Sequence, residues 1–288
     1  MSIPLHISTE SDASERGHRF GVAQTEAVRT TVASYRRLFS VAAGLSTDEV
    51  LELGTRVAEQ LAPYPSLVTE IAGMARGAGV DERELYAVNA RTEILGGARP
   101  ECTVVGVLPQ ASADGELLLA QNWDWHPDQA AAMVLWRIRL ADERWLVTLT
   151  EAGIVAKIGL NSSGLAVGLN LLRSDQDSGI GGSPIHVILR LLLERCDTLA
   201  HALELVRGAQ VSASSCITIG AAGGSESPAA ALVCAELTPT GTRLVWPDGT
   251  EPLAHTNHFL APDAGASDRL VRLHPDTLTK ASSGWFDT

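Results

Sequence analysis

Hydrophobic positions in roughly the first hundred residues recur at helical spacing. Thr25 to Ala43 contains no helix breaker, and its apolar side chains fall near one face of a helix. Ser66 to Ala78 carries a second apolar stripe, and Gly79 follows it as a stop. The residues on these stripes are Val28, Val32, Tyr35, Leu38, Phe39, Leu67, Ile71, Met74 and Ala78. The pattern predicts that this part of the chain is mainly helical.

Capping signals predict two more helices in the same region. Thr47 or Asp48 is suited to cap a helix that ends just before Pro63. Asp81, followed by Glu84, is a capping-box pattern that opens a helix through residue 90. These signals extend the helical prediction over almost the whole N-terminal third of the chain.

The pattern changes after Cys102. Thr103 to Val107 is short and β-branched, and Asp114-Gly115 marks a hairpin turn after which Leu117 to Asn122 returns antiparallel. Helices are predicted near 183–196 and 197–207. Further strands are predicted near 136–140, 145–150, 154–160, 165–170, 215–220, 229–236 and 242–246. Helices, many strands, two helices and more strands, in this order, predict an α+β layered sandwich with largely antiparallel sheets.

The composition describes a globular, acidic protein. The chain has 288 residues, 45% of them hydrophobic and 19% charged, which suits one large domain or two smaller ones. A net charge of −12 and a pI near 5.1 argue against nucleic acid and anionic membrane as partners, because both need a positive surface. We therefore expect neither nucleic acid nor a membrane as a partner, and the charge says little about small substrates.

Targeting and cysteine patterns indicate the cytoplasm. Met1 to Ile7 lacks the basic and apolar regions of a signal peptide, and no run approaches the roughly 18 apolar residues of a membrane span. The cysteines form no Cys-x-x-Cys pair, so neither a metal knuckle nor a redox motif is indicated, and reduced thiols are expected. The four cysteines are Cys102, Cys196, Cys216 and Cys234.

Cys102 lies where the helical pattern gives way to strands. A buried, inert cysteine is the commoner explanation for a free thiol. The junction is also where a self-cleaving precursor would be cut, between Glu101 and Cys102. Such a cut would give one residue both a thiol nucleophile and an α-amine to act as its base.

Two short motifs carry further candidate residues. In Asn122-Trp-Asp-Trp125, an Asp between two tryptophans needs a polar partner if it is buried, but a turn Asp beside two core aromatics explains it as well. In His255-Thr-Asn-His258, no third metal ligand is indicated nearby, so a metal site is not expected. Asn257 is suited to donate an amide hydrogen to an oxyanion, unless it is an ordinary loop residue.

No cofactor motif is evident. Gly179-Ile-Gly-Gly-Ser-Pro184 has the look of a dinucleotide loop but lacks its final glycine, and it is better explained as a loop before a helix cap. We expect neither a cofactor nor a metal.

Taken together and in this order, these pieces resemble the acyl-CoA:6-aminopenicillanate (isopenicillin N) acyltransferase family. Its members are N-terminal-nucleophile hydrolases and acyltransferases. The likeness runs from about Glu15 to about Phe259. The matching stretches are Asn89-Ala-Arg-Thr-Glu93, Glu101-Cys-Thr103, Gln121-Asn-Trp-Asp-Trp125, Thr150-Glu-Ala-Gly-Ile154 with Gly159-Leu-Asn-Ser162, and His255-Thr-Asn-His-Phe259.

The resemblance implies a four-layer αββα sandwich and a self-cleaving precursor. A cut after Glu101 would yield a helical small chain, 1–101, and a catalytic chain, 102–288, in one structural domain. It also implies acyl transfer from an amide or thioester to Cys102, and then to an amine or water. By position, Cys102 matches the nucleophile, Asp124 the acidic residue of the site, and Asn257 the oxyanion donor.

The resemblance also suggests a substrate pocket, and the C-terminal part of the chain departs from the family pattern. Trp123, Trp125 and Thr103 are expected to line an acyl pocket, although core packing explains the tryptophans equally well. The family continues after the His-Thr-Asn-His motif with a helical and strand segment and an arginine associated with the site. The tail from Ala261 shows no match to it. We expect C-terminal strands to be missing, which would expose a sheet edge; either homo-oligomerisation covers this edge or the fold is incomplete.

Hydrolysis of a small amide is the favoured reaction, because nothing in the sequence identifies an acyl-CoA site. Two alternatives stay open. One is a catalytically impaired relative that acts as a binding or scaffold protein. The other is a cysteine hydrolase that uses Cys102 unprocessed, with His126 or His255 as its base.

Overall fold

The computed structural model of the protein describes residues 2–96, 101–140, 142–223, 229–248 and 251–261. The chain forms two compact units. The first takes in the described residues of 1–98, 126–162 and 179–194, and the second takes in those of 99–125, 163–178 and 195–288. The segment whose C-terminal strands were predicted to be missing, 262–288, lies outside the described residues.

Helices occupy most of the N-terminal part of the chain. In chain order they are α1 Ala13–Ala23, α2 Thr25–Ala43, α3 Thr47–Gln60, α4 Pro65–Ala78, α5 Glu82–Asn89, α6 Arg91–Leu95, α7 Ile185–Arg195 and α8 Leu199–Gly208. The predicted bounds of α2 are confirmed, and its apolar stripe is buried. The sequence pattern did not predict α1, although Phe20 on that helix is fully buried.

One predicted cap is wrong, and one predicted capping box does not form. Ser46, rather than Thr47 or Asp48, caps α3, and its side chain forms a capping box with Glu49. Asp81 does cap α5, accepting a hydrogen bond from the backbone of Arg83. Glu84 does not complete a capping box there, because its carboxylate binds Arg36 instead, at 2.9 Å from Nε.

Strands make up most of the rest. In chain order they are β1 Leu5–Ser8, β2 Glu101–Val107, β3 Leu118–Asp124, β4 Met133–Arg139, β5 Trp145–Glu151, β6 Ile158–Asn161, β7 Leu165–Leu171, β8 Ser215–Ala221, β9 Ala231–Thr238, β10 Gly241–Val245 and β11 Leu253–His255. The sequence pattern missed β1 and β11. The structure confirms the predicted α+β class, while the four-layer arrangement stays a prediction.

The first unit combines helices α1 to α7 with strands β1, β4, β5 and β6. These strands are hydrogen-bonded in that order, with β1 parallel to β4 and the other pairs antiparallel. The buried faces of α1, α4 and α7 share an ion cluster in which the Glu70 carboxylate binds Arg16 and Arg190. Burial raises the pKa of Glu70, but the two guanidinium groups outweigh it, so the net pKa lies below its usual value.

The second unit contains two antiparallel sheets. One has the order β7-β8-β9-β10 and the other the order β11-β2-β3. The predicted hairpin between β2 and β3 is present, with Gly115 at a φ of 70°. An apolar cluster fills this unit and includes Leu172, Leu232, Leu253 and Phe259.

Glycines allow two close approaches inside the second unit. A Cβ added at Gly168 on β7 would lie 3.0 Å from Cγ1 of Val104 on β2. A Cβ added at Gly106 would lie 2.4 Å from Leu232, closer than real Cβ atoms come. Side chains at these two positions would push β2 away from its neighbours.

The helices of the described residues include none that is both long enough and apolar enough to cross a membrane.

Candidate active site

Cys102 lies near the start of β2, between β11 and β3 in the three-stranded sheet. Its side chain is buried with 5% of its surface exposed. Because side chains alternate along a strand, Cys102 shares its face of β2 with Val104 and Gly106, and the partner opposite on β3 is Trp123. The thiol is therefore directed to the buried face of this sheet.

Both backbone groups of Cys102 are bound by side-chain amides. The N–H of Cys102 donates to Oδ1 of Asn257 at 2.7 Å, and Nδ2 of Asn170 donates to the carbonyl oxygen of Cys102 at 3.1 Å. Nδ2 of Asn257 in turn donates to the carbonyl oxygen of Leu171 at 2.9 Å. An N–H can only donate and a carbonyl can only accept, so these two partners determine the orientation of the Asn257 amide.

Strand β7 is the common support of these contacts. Nε2 of Gln121 on β3 donates to the carbonyl oxygen of Leu169 at 2.7 Å, and the N–H of Leu169 donates to Oε1 of Gln121 at 2.9 Å. The Gln121 side chain thus bonds to Leu169 as the backbone of a neighbouring strand would. Asn170 and Leu171, the next residues of β7, bind Cys102 and Asn257. Consecutive residues of one strand thus hold β3, β2 and the segment after β11 in register.

Sequence reasoning missed Asn170. It lies at the end of an otherwise apolar strand and is fully buried. Among the described residues its Oδ1 has no hydrogen-bond partner. A polar side chain inside an apolar run was the available signal, since such a residue needs a partner to offset its burial.

Asp124 lies on the other face of the β2–β3 pair. Its backbone pairs with that of Glu101, one step along the register from Cys102. The side chain is exposed, and it accepts a hydrogen bond of 2.8 Å from Nδ2 of Asn122. Thr103, opposite Asn122, belongs to the same face. The structure therefore places Asp124 beside the predicted cleavage point but not on the face of the thiol.

The two tryptophans are half-buried, so neither is an ordinary core residue. Trp123 lies directly opposite Cys102 and on the same face, while Trp125 follows the end of β3. Of the residues predicted to line a pocket, Trp123 is on the thiol's face of the sheet and Thr103 is not. Their role in binding an acyl group stays a prediction.

The two histidines of the His-Thr-Asn-His motif are engaged in local contacts. His255 has Nε2 3.0 Å from Oε1 of Glu236 and Nδ1 2.8 Å from the carbonyl oxygen of Thr256. Since a carbonyl and a carboxylate both accept, the ring carries a proton on each nitrogen. His258 Nδ1 lies 2.8 Å from the Thr256 hydroxyl. In the part of the chain that the structure describes, no three His, Cys, Asp or Glu residues are grouped to hold a metal ion.

The pKa of His255 reflects these contacts. Burial lowers the pKa, but the hydrogen bond to Glu236 and the charges of Cys234 and Glu236 raise it more, so the net shift is upward. A doubly protonated imidazole has no lone pair to receive the thiol proton. The unprocessed mechanism with His255 as base is therefore disfavoured.

The fold and these contacts define an α+β protein in which a buried cysteine near the start of a strand is bound at both backbone groups by neutral amides. The model of the family described as acyl-coenzyme A:6-aminopenicillanic acid acyl-transferase matches residues 111–277, more than half of the chain. The chain belongs to this family of acyl-transferring enzymes, which confirms the resemblance in the sequence. The matched range contains Asp124, Asn170 and Asn257, and Cys102 precedes it.

Similar proteins carry related names. The chain is 29% identical over 293 residues to the acyl-coenzyme A:6-aminopenicillanic-acid-acyltransferase 40 kDa form of Emericella nidulans, covering 96% of this chain and 75% of the relative. Among solved structures, a penicillin V acylase from Agrobacterium tumefaciens matches with a TM-score of 0.25 and 12% identity, covering 55% of this chain and 41% of that chain.

Proposed function

We propose that the protein is an autoprocessing amidohydrolase or acyltransferase in which Cys102 becomes an N-terminal nucleophile. One observation carries the proposal: the N–H and the carbonyl of Cys102 are each bound by a buried side-chain amide. Every buried backbone group needs a hydrogen-bond partner, but within a sheet the neighbouring strands usually supply it. Side-chain amides at both groups would keep Cys102 in place after its peptide bond to Glu101 is cut.

Processing begins with attack of the Cys102 thiol on the carbonyl carbon of Glu101. The C–N bond breaks, the acyl group passes to sulfur as a thioester, and the thiol proton passes to the departing nitrogen. Water then hydrolyses the thioester, which leaves a carboxyl group on residue 101 and a free thiol on Cys102. The proposed products are the chains 1–101 and 102–288.

The new α-amine of Cys102 then serves as the base. A free thiol has a pKa near 8.5 and an α-amine a pKa of about 7.7–8.0, so the amine accepts the thiol proton near neutral pH, directly or through a water. Before the cut this nitrogen is an amide and cannot do so. Oδ1 of Asn257, which accepts from this nitrogen in the uncut chain, is placed to orient the amine.

Turnover proceeds through an acyl-thioester on Cys102. The thiolate attacks the carbonyl of a small amide or thioester, and the leaving amine or thiol takes up the proton held by the α-amine. Water or a second amine then receives the acyl group and regenerates the thiol. An amide nitrogen carries two hydrogens, so the contact of Asn257 with Leu171 leaves one for the oxyanion.

Hydrolysis of a small amide is the favoured outcome of this chemistry. The name of the relative from Emericella nidulans suggests acyl-CoA and 6-aminopenicillanic acid as compounds to include in a screen. Trp123, on the thiol's face of the sheet, is proposed to contact the acyl group. Trp125, just after the end of β3, is proposed to line the pocket further out, whereas Thr103 lies on the opposite face of β2 and is not proposed to line it.

Asp124 is proposed to act in processing. Its position opposite Glu101 puts the carboxylate next to the residue that the cut separates from Cys102. There it would orient the new ammonium group or shape the scissile peptide. A role in touching the thiol is disfavoured, because the two side chains lie on opposite faces of the strand pair.

A pair of cysteine variants tests the proposal. Cys102→Ala removes the nucleophile, and Cys196→Ala removes another buried thiol, just after the end of α7. We expect the first variant to stay uncut and inactive, and the second to be cut and to turn over substrate like the wild type. The measurements are intact mass and a turnover screen of N-acyl amines, amino-acid amides and acyl-CoA with 6-aminopenicillanic acid.

A Cys102→Ala chain that still splits or still turns over substrate would remove the proposal. A wild-type chain that stays uncut and inactive would instead favour the binding or scaffold alternative.

A further inference from the structure

Glu236 contacts the segment that carries Asn257 on both sides of that residue. Its Oε1 lies 3.0 Å from Nε2 of His255 and 2.6 Å from the backbone nitrogen of Leu260. Its Oε2 lies 3.2 Å from the backbone nitrogen of Ala261. One carboxylate thus binds the chain two residues before Asn257 and again three and four residues after it.

The carboxylate projects from a firmly held strand. Glu236 is on β9, which pairs with β8 on one side and β10 on the other, and its side chain is fully buried. The segment it binds has less support of its own. Strand β11 is three residues long and pairs only with β2 among the described strands. The position of Asn257 along the Cys102 backbone is therefore tied to β9 through Glu236.

The contacts require a carboxylate rather than an amide. Three N–H groups converge on Glu236, from His255, Leu260 and Ala261. A carboxylate offers acceptors at both oxygens, whereas a glutamine would turn an NH2 group toward one of these donors. A neutral side chain would also leave the charged ring of His255 buried without its counter-ion.

We propose that Glu236 is a positioning residue for the reaction, acting through the His255–Ala261 segment to hold Asn257 against the nitrogen of Cys102. The inference rests on the proposed function, in which that nitrogen becomes the base. Glu236 itself contacts neither Cys102 nor Asn257 in the hydrogen bonds described above. Glu236 therefore affects catalysis indirectly, by fixing the position of the Asn257 amide.

Two cysteines near Glu236 and His255 do not hold the His255–Ala261 segment in its place. The Cys234 thiol on β9 lies 3.2 Å from the Thr218 hydroxyl, and Cys216 occupies the β8 position opposite Glu236. A hydrogen bond from Cys216 lowers the pKa of Cys234 to about 7, and the charge on His255 adds to that shift. Cys234 is close enough to His255 for their charges to interact, but the hydrogen bonds described here link neither thiol to the backbone groups of the Asn257 segment.

Glu236→Gln tests the inference against Glu70→Gln as the matched control. Glu70 is an equally buried carboxylate bound by charged partners, but it lies in the other unit. We expect both variants to unfold more easily. Only Glu236→Gln should lower kcat per folded molecule, by about 10- to 100-fold, with KM within about twofold, because a misplaced oxyanion donor acts on the transition state.

Hydrogen exchange gives a readout that does not depend on turnover. In the uncut Cys102→Ala background, the amides of Leu260 and Ala261 should exchange about tenfold faster or more when Glu236 is replaced by Gln. The same amides should keep their protection when Glu70 is replaced. Equal protection in the two variants would show that the carboxylate does not anchor the segment.

A second variant, His255→Gln, tests the inference if Glu236→Gln does not fold. His255→Gln keeps an N–H donor toward Glu236 and gives up the charge and the contact with Thr256. We expect it to lower kcat less than Glu236→Gln does, with KM again little changed. If both variants fold and both keep the wild-type kcat, the inference is overturned.

Failure of the proposed function and failure of the positioning role of Glu236 would give different results. The proposed function fails if the wild-type chain is uncut and inactive. The positioning role fails if the wild type is cut and active while Glu236→Gln keeps its kcat and its amide protection.

Discussion

Two buried polar regions, one around Glu70 in the first unit and one around Cys102 in the second, are held by different means. In the first unit, full charges are enclosed: the Glu70 carboxylate binds Arg190 at 2.6 Å and also binds Arg16, and all three residues are buried. In the second unit, the backbone of Cys102 is held by the neutral amides of Asn257 and Asn170. The charged cluster joins helices, whereas the amides surround a single residue of a strand.

The difference follows from what each region has to do. A buried ion pair fixes its members in one charge state, and losing one member leaves an uncompensated charge. That suits a region that must not change. An amide accepts and donates without a charge of its own, so it could hold a nitrogen that belongs to a peptide before the proposed processing and to an amine afterwards. The amides therefore suit a site whose own groups must titrate.

Breaking the charged cluster should have the largest effect on stability. Glu70→Gln leaves Arg16 and Arg190 buried without their carboxylate, and we expect the free energy of unfolding to fall by about 3–5 kcal/mol. Cleavage after residue 101 should still occur in the folded fraction. Urea unfolding measures the loss, and intact mass measures the cleavage. A loss of cleavage in well-folded variant protein would show that the two regions are not independent.

Removing an amide from the site should act on the reaction more than on stability. Asn257→Ala takes away the acceptor for Cys102 and the proposed oxyanion donor, so we expect processing and turnover to slow by about 10²- to 10³-fold. The rate is read from the mass of the chain after fixed times and from substrate turnover.

The control for this variant is Asn89→Ala. The Asn89 amide in the first unit likewise bonds to backbone groups, three of them, those of Leu85, Gly153 and Val155. We expect that variant to lose stability and to process at the wild-type rate per folded molecule. Similar rates for the two variants would mean that Asn257 has only a structural role.

A third variant, Glu93→Gln, tests how the stability of the protein depends on pH. Burial raises the pKa of Glu93 to about 7, and its Oε1 accepts from the backbone of Ile185. The folded protein keeps this proton up to about pH 7 while the unfolded chain releases it near pH 4.5. Stability therefore falls as pH rises through that window. Glu93→Gln should be more stable than the wild type above pH 7, by up to about 3 kcal/mol, and equal to it near pH 4.5.

Urea unfolding from pH 4.5 to pH 8 measures this dependence. Glu59→Gln, which removes an exposed carboxylate from α3, is the control and should leave the slope unchanged. A Glu93→Gln curve parallel to that of the wild type would show that Glu93 carries no raised pKa.

Much of the fold was predictable because its signals are local. The apolar stripe of α2 and the turn at Gly115 depend on residues a few positions apart, and the structure confirms both. Strand β1 and strand β11 were missed. Each is at most four residues long, too short to show a period, and each is held by a strand far away in sequence, β4 or β2.

The candidate site was predictable only in part, for a similar reason. Cys102 and Asn257 belong to motifs that the family resemblance identifies. In the structure the backbone nitrogen of Cys102 lies 2.7 Å from Oδ1 of Asn257. Asn170 and Glu236 stand in no such motif. Their importance comes from contacts with Cys102 and with the segment after β11, which only folding brings about. The face of Asp124 likewise depends on strand register, which the sequence does not reveal.

The central claim is that residue 102 becomes the first residue of a mature chain. N-terminal sequencing of the purified wild-type protein, combined with its intact mass, tests this most directly. We predict two fragments, one of which begins Cys-Thr-Val-Val, as residues 102–105 read. A single uncut chain of 30.4 kDa in folded, active protein would contradict the account.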